Sequence, residues 1–220
     1  KIIITRIDND SRFGRIKKKI KGKIFIGIQN GCRPLWESHR PSIFDYYFTF
    51  DKKQTNNVRN LGYEAKYFLQ NGSLTAAKQF SIEKEDKVER DILIISSWRG
   101  NVKQDIHFIR QFEAMKKMDI FLSKLIKEKG YSTAIILRSS QKGHDWYVKG
   151  IIGLNEGEYF KNIYGDNIKL ITNCKKHITV YSEISKSHLS LGSLSTTILE
   201  ADLYGHQSLY LNFHINNFYH

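Results

Sequence analysis

The chain has 220 residues, 40% of them hydrophobic and 26% charged, enough for one large core or two modest ones, which excludes a disordered polyelectrolyte. Its formal net charge of +13 predicts an anionic partner, although abundant Lys, Asn and Ile beside only 2 prolines also show compositional bias. No apolar run approaches the roughly 18 residues that span a bilayer, and the two cysteines, Cys32 and Cys174, are isolated, with no metal-ligand spacing and no disulfide framework. These features fit a cytoplasmic protein whose charge also suits peripheral contact with an anionic inner-membrane surface.

In chain order, the first strand is expected at 2–5. Residue 1 is Lys, and "KIIIT" runs straight into that strand, so the sequence is expected to begin inside a larger protein. "TRIDND" closes the strand with Asp8 and Asp10, which suit a catalytic base or a hydroxyl-orienting group, or simply a helix cap. A second strand at 24–28 ends in Gln29, Asn30 and Gly31, followed by Arg33: a plain turn, or a loop facing a ligand crevice. Strands at 45–50 and 65–69 flank a weak helix at 55–61. Residues 72–90 are polar and without a period; they read as a linker, with a domain boundary near 84.

The second half opens with a strand at 91–96 and a long amphipathic helix at 102–129, stopped by Gly130, whose length predicts a break near 117–119. A strand at 133–137, a weak helix at 145–151, strands at 168–171 and 179–181, a helix at 196–204 and a strand at 208–212 complete the chain. Several strands are continuous apolar runs rather than alternating ones, as expected when both faces are covered. The prediction is an α/β protein with parallel sheets.

Hydroxyls and cations gather where three of these segments end. Ser96, Ser97 and Arg99 follow one strand, Arg138 and then His144 follow another, and Ser195, Thr196 and Thr197 open the helix that carries Glu200. In a parallel sheet such ends lie on one edge and converge on one crevice. Ser and Thr hydroxyls, guanidinium groups and the N-terminus of a helix all suit phosphate oxygens. Each motif also has a plainer reading. Ser195 or Thr196 is a natural N-cap with Glu200 reaching back, close to a capping box, and His144 suits an exposed loop. No nucleophile elbow, Walker loop, zinc spacing or kinase signature is present. The missing Gly-x-Gly-x-x-Gly fingerprint argues against a dinucleotide-dependent oxidoreductase, and no basic-aromatic stripe suggests a nucleic-acid surface.

Taken together, "TRIDND", "FIGIQNG", "FDYYFTFD", "NGSL", "IISSW", "ILRSS" and "SLSTTILEADLYGHQSLYLN" resemble bacterial surface-carbohydrate (capsule or lipopolysaccharide) biosynthesis glycosyltransferases of the GT-B type. The last segment is the most specific, and nucleotide-sugar 2-epimerases share it. The resemblance implies two Rossmann-like domains: the C-terminal part of an acceptor-side domain plus linker at 1–84, incomplete at its N-terminal side, and a donor-binding domain at 85–220. It implies sugar transfer from a nucleotide-sugar donor to a surface glycan acceptor, with no metal and no cofactor beyond that donor. Ser195, Thr196 and the helix N-terminus would hold the leaving phosphate, assisted by Arg138 or Arg99. Glu200 would hold the ribose, and Asp8 or Asn30 would face the acceptor as base or orienter. A non-catalytic nucleotide- or glycan-binding module and a 2-epimerase are the alternatives, and no nucleic-acid partner is expected.

Overall fold

The computed structural model describes residues 1–8, 10–33, 42–82, 87–98, 106–138, 156–173, 179–193 and 195–213. Among them the chain is α/β, with two wholly parallel sheets of four and five strands and seven helices. It divides into two compact units, Lys1–Ala77 and Lys78–Asn217. The boundary expected near 84 lies outside the described residues; the division falls within a helix of the stretch that reads as a linker. No described helix is long and apolar enough to cross a membrane.

The first unit runs β1 (Ile2–Thr5), α1 (Ser11–Lys19), β2 (Ile24–Ile28), β3 (Ile43–Thr49), α2 (Lys52–Asn60), β4 (Glu64–Gln70) and the start of α3 (Leu74–Ile82), with sheet order β1-β2-β3-β4. Its core is aromatic: Phe44, Tyr47, Val58 and Tyr63 are buried together, with the Tyr47 and Tyr63 rings stacked at 5.7 Å. Gly27 is required on β2, because a Cβ there would meet the Phe44 ring at 2.8 Å. Helix α1 has no clear apolar run to announce it. It starts because Asp10 caps it, accepting from the Arg12 backbone N–H at 2.9 Å, and it ends on Lys17, Lys18 and Lys19, which suit the negative end of the helix dipole.

The second unit runs β5 (Arg90–Ile95), α4 (Ile106–Lys129), β6 (Thr133–Ile136), α5 (Glu156–Tyr164), β7 (Lys169–Ile171), α6 (Thr179–Ser185), β8 (Ser187–Gly192), α7 (Thr196–Leu203) and β9 (Ser208–Tyr210). The sheet order is β7-β6-β5-β8-β9. Counted from β5, this is 3-2-1-4-5, the order of a Rossmann-type doubly wound sheet over its first five strands. Strand β5 lies at the centre, with Leu93 and Ile94 fully buried, as its continuous apolar run predicts.

Two expectations need correction here, and one strand is unexpected. The β-branched stretch at 179–181 is helical, because Val180, Tyr181 and Ile184 are buried at helical spacing on α6. Strand β8, whose Ser and His residues hide it from a hydropathy reading, takes the place beside β5. Helix α4 is continuous through 117–119. Asp119, within the stretch where the break is expected, is wholly buried and accepts hydrogen bonds from the hydroxyls of Tyr159 at 2.8 Å and Tyr164 at 2.9 Å on α5. Burial raises this carboxyl to about 7, against the opposing pull of the two tyrosine hydrogen bonds. The helix expected at 145–151 lies outside the described residues.

Candidate functional site

Strands β5, β6 and β8 are apolar until their carboxyl ends, and the register brings those ends level: Ile95 lies beside Ile136 on one side and Gly192 on the other. The segments that leave these three strands therefore emerge side by side. Between β5 and β8 the succession of strands reverses, so the connections diverge and leave a crevice at the sheet edge. A cavity of about 230 Å³ lies there. Ile95, Ile136, Leu137 and Val180 supply its apolar lining, and Ser96, Ser97, Arg138, Asn173, Ser195, Thr196 and Thr197 its polar lining. The cavity has room for a phosphoryl group with part of a sugar or a second phosphoryl group.

The polar wall is built from several elements. Glu156, at the first turn of α5 and only 4% exposed, accepts from the Ser96 hydroxyl at 2.5 Å and, through the same Oε1, from the Arg138 backbone N–H at 2.9 Å. One carboxylate thereby ties the ends of β5 and β6 together. Arg138 Nη1 donates to the Trp98 carbonyl at 3.1 Å. Trp98 itself faces the core, its ring 4.7 Å from Tyr159 and 5.6 Å from Phe112, so this residue anchors the loop and does not line the cavity. The Ser97 hydroxyl donates to the Ser193 carbonyl, joining the end of β5 to the segment that leads into α7.

Ser195 stands at the N-cap of α7 in extended backbone, but its side chain makes no capping hydrogen bond. The capping-box reading is therefore corrected: Glu200 reaches the Tyr181 hydroxyl on α6 at 2.7 Å. The first-turn N–H groups of a helix lack the usual acceptor four residues back; in α7 the Ile198 N–H donates to the Ser195 carbonyl at 3.3 Å, and the turn opens where Ser195, Thr196 and Thr197 line the cavity. Gly192 makes the close approach of α7 to the sheet feasible. A Cβ there would lie 3.0 Å from the Ile95 carbonyl and 3.2 Å from Ile198.

Six of the residues expected from the sequence thus line one cavity: Ser96, Ser97, Arg138, Ser195, Thr196 and Thr197. Arg99 and His144 lie outside the described residues. Glu200 is buried behind the first turn of α7 and does not line the cavity, so its assignment to a ribose is corrected to a contact between α6 and α7. Among the described residues no group of three His, Cys, Asp or Glu side chains is placed to hold a metal ion.

Asp8 and Asn30 belong to the first unit, at the carboxyl edge of its sheet. Asp8 is fully buried. Arg33 holds its Oδ1 at 2.5 Å and the Tyr47 hydroxyl its Oδ2 at 2.5 Å, so both oxygens are engaged and neither is exposed to an acceptor. The base role is corrected accordingly. Burial works against the Arg33 charge, but Asp8 together with the neighbouring Tyr47 and Tyr63 holds the guanidinium above its ordinary range. Asn30 is exposed, but its Oδ1 accepts from Arg33 at 2.6 Å.

The chain matches no family model and no curated protein. The geometry of the second unit therefore carries the functional argument. Sequence reasoning missed Glu156, Asn173 and Val180. Acidic residues at 156 and 158 followed by an apolar period signal the start of α5, but nothing local shows that Glu156 reaches back to two strand ends.

Proposed function

We propose that the second unit binds the phosphorylated part of a nucleotide-activated sugar and that the protein is a glycosyltransferase of the GT-B type acting in surface-polysaccharide or lipopolysaccharide assembly. The observation that carries this reading is the cavity at the sheet's reversal point, which Arg138 and the first turn of α7 both line. As the bond to the sugar breaks, negative charge grows on the leaving phosphate. Donors already in place, in a site partly shielded from water, stabilise that charge more than the ground state. The Arg138 guanidinium, the Ser195, Thr196 and Thr197 hydroxyls and the α7 N–H groups are such donors, and the positive end of the helix dipole adds to them. The mechanism asks nothing of a metal. The net charge of +13 suits both an anionic donor and the cytoplasmic face of a membrane where its acceptor would reside.

The test is calorimetric titration of the full chain with uridine, cytidine, guanosine and thymidine diphosphates. At least one should bind, and Arg138→Ala should weaken it about tenfold or more, as loss of a charge-assisted hydrogen bond implies. No heat with any of them would exclude the reading. The state of Asp8, locked between Arg33 and Tyr47, favours a second reading, nucleotide binding without transfer. Donor hydrolysis or transfer measured with the same nucleotide class separates the two.

A further inference from the structure

Ser96 and Ser97 sit side by side on the cavity wall at the end of β5, yet their hydrogens are already committed elsewhere. The Ser96 hydroxyl donates to Glu156 Oε1, and its oxygen accepts the Trp98 backbone N–H at 3.1 Å. The Ser97 hydroxyl donates to the carbonyl of Ser193, an atom that only accepts. A hydroxyl has one hydrogen and two lone pairs. Ser96 therefore has one lone pair left for a ligand, Ser97 has two, and neither has a hydrogen. Both residues are more than nine-tenths buried, so water does not readily reorganise these bonds. Such a wall repels a phosphate oxygen, which also presents lone pairs, and attracts O–H or N–H groups. Arg138 at the end of β6 and the first turn of α7 after β8 flank this wall and line the same cavity, where they present donors and positive charge.

From this polarity we infer that the cavity binds a phosphorylated polyol in one orientation, with its phosphoryl group against α7 and Arg138 and a hydroxyl or amide N–H of the sugar donating to Ser96 and Ser97. Glu156 is the positioning residue that sets this polarity, because it takes the Ser96 hydrogen. The inference rests on the donor-phosphate reading of the cavity and adds which part of the donor meets β5. It departs from the expectation that the Ser96 and Ser97 hydroxyls hold phosphate oxygens.

The test uses calorimetry on the full chain with three kinds of probe: pyrophosphate, propyl phosphate, and a panel of hexose 1-phosphates that includes an N-acetylated one. At least one hexose 1-phosphate should bind about ten to a hundred times more tightly than propyl phosphate, which has the same phosphoryl ester and no hydroxyl; each of the two hydrogen bonds to the wall is worth about tenfold. Ser96→Ala and Ser97→Ala should each erase about tenfold of hexose 1-phosphate affinity and leave pyrophosphate unchanged, with thermal unfolding confirming that the variants fold. Equal binding of propyl phosphate and every hexose 1-phosphate overturns the inference, and needs no variant. Equal weakening of pyrophosphate and hexose phosphate by the serine variants overturns it too, since the hydroxyls would then serve the anion. In both cases tight pyrophosphate binding would leave the donor-phosphate reading standing. Failure of pyrophosphate and of every nucleoside diphosphate to bind would remove that reading and this inference with it.

Discussion

Asp8 and Asp119 are both fully buried carboxyl groups, and their surroundings give them opposite consequences. Asp8 has a buried guanidinium as partner, and Arg33 Nε has no hydrogen-bond acceptor of its own among the described residues, so the ion pair depends on the other guanidinium contacts. Asp8→Ala would strand the Arg33 charge and should cost the first unit about 3–5 kcal/mol, read as a lowered urea midpoint; a loss below about 1 kcal/mol would show that Asp8 does not hold that charge. Asp119 is held by two tyrosine hydroxyls, which bring no positive charge, so burial favours its protonated form. A carboxyl raised in the folded state contributes stability in full below its unfolded pKa, near 4, and loses that contribution as pH rises through about 7. The change is on the order of 4 kcal/mol between those limits. The urea midpoint of wild-type protein should fall between pH 4 and 7 relative to that of Asp119→Asn. Parallel curves would exclude the titration.

At the scale of elements, the site depends on how closely α7 approaches the sheet. Gly192→Ala would bring a Cβ against a backbone carbonyl that has no room to move and against Ile198, so α7 must shift outward. The expected result is a loss of about 1–3 kcal/mol together with weaker nucleoside diphosphate binding; unchanged affinity would mean the first turn of α7 does not hold the ligand. The same elements explain what the sequence makes legible. Strand β5 is evident because its continuous apolar run fits the centre of a covered parallel sheet; β1 and β2 are legible from the same kind of run, although Ile2, Ile4 and Ile24 on them lie exposed. Strand β8 is not, since its burial is set by the partners on either side and not by its own side chains; Ser190 is buried there, and among the described residues its hydroxyl has no hydrogen-bond partner. Helix α6 misleads for the opposite reason. Thr179, Val180 and Tyr181 favour a strand locally, while burial at Val180, Tyr181 and Ile184 has the helical period. The hydroxyls of the cavity are readable as a group because a parallel sheet puts all its carboxyl ends on one edge. Glu156 and Glu200 show where such reading ends: one joins the site from a helix that has no local link to it, and the other leaves the site because Tyr181 offers its hydroxyl.

Across the whole molecule, each unit has its own core and its own polar edge. The first has aromatic packing beneath a buried ionic cluster, and the second has aliphatic and aromatic packing beneath a cavity. The first unit also leaves apolar surface uncovered at its edge strand, where Ile2 and Ile4 are each 60% exposed. Edge strands of this kind favour self-association. Ile4→Lys should therefore lower concentration-dependent light scattering, while identical scattering would show that this edge is not sticky.

The pairing of β5 with β8 has a further consequence. These strands are neighbours in the sheet although most of the second unit lies between them in the chain, and the cavity takes its walls from both sides of that pairing. A ligand seated there spans the seam between the earlier and later halves of the unit. Separating the seam must release the ligand, so occupancy should slow amide hydrogen exchange along the β5–β8 ladder in proportion to ligand concentration over its dissociation constant. Amides at the far ends of α4, which can fray without opening the seam, should exchange at the same rate with and without ligand. The bound donor would thus act as a clasp, closing a join that the chain makes only after its last strands have been added.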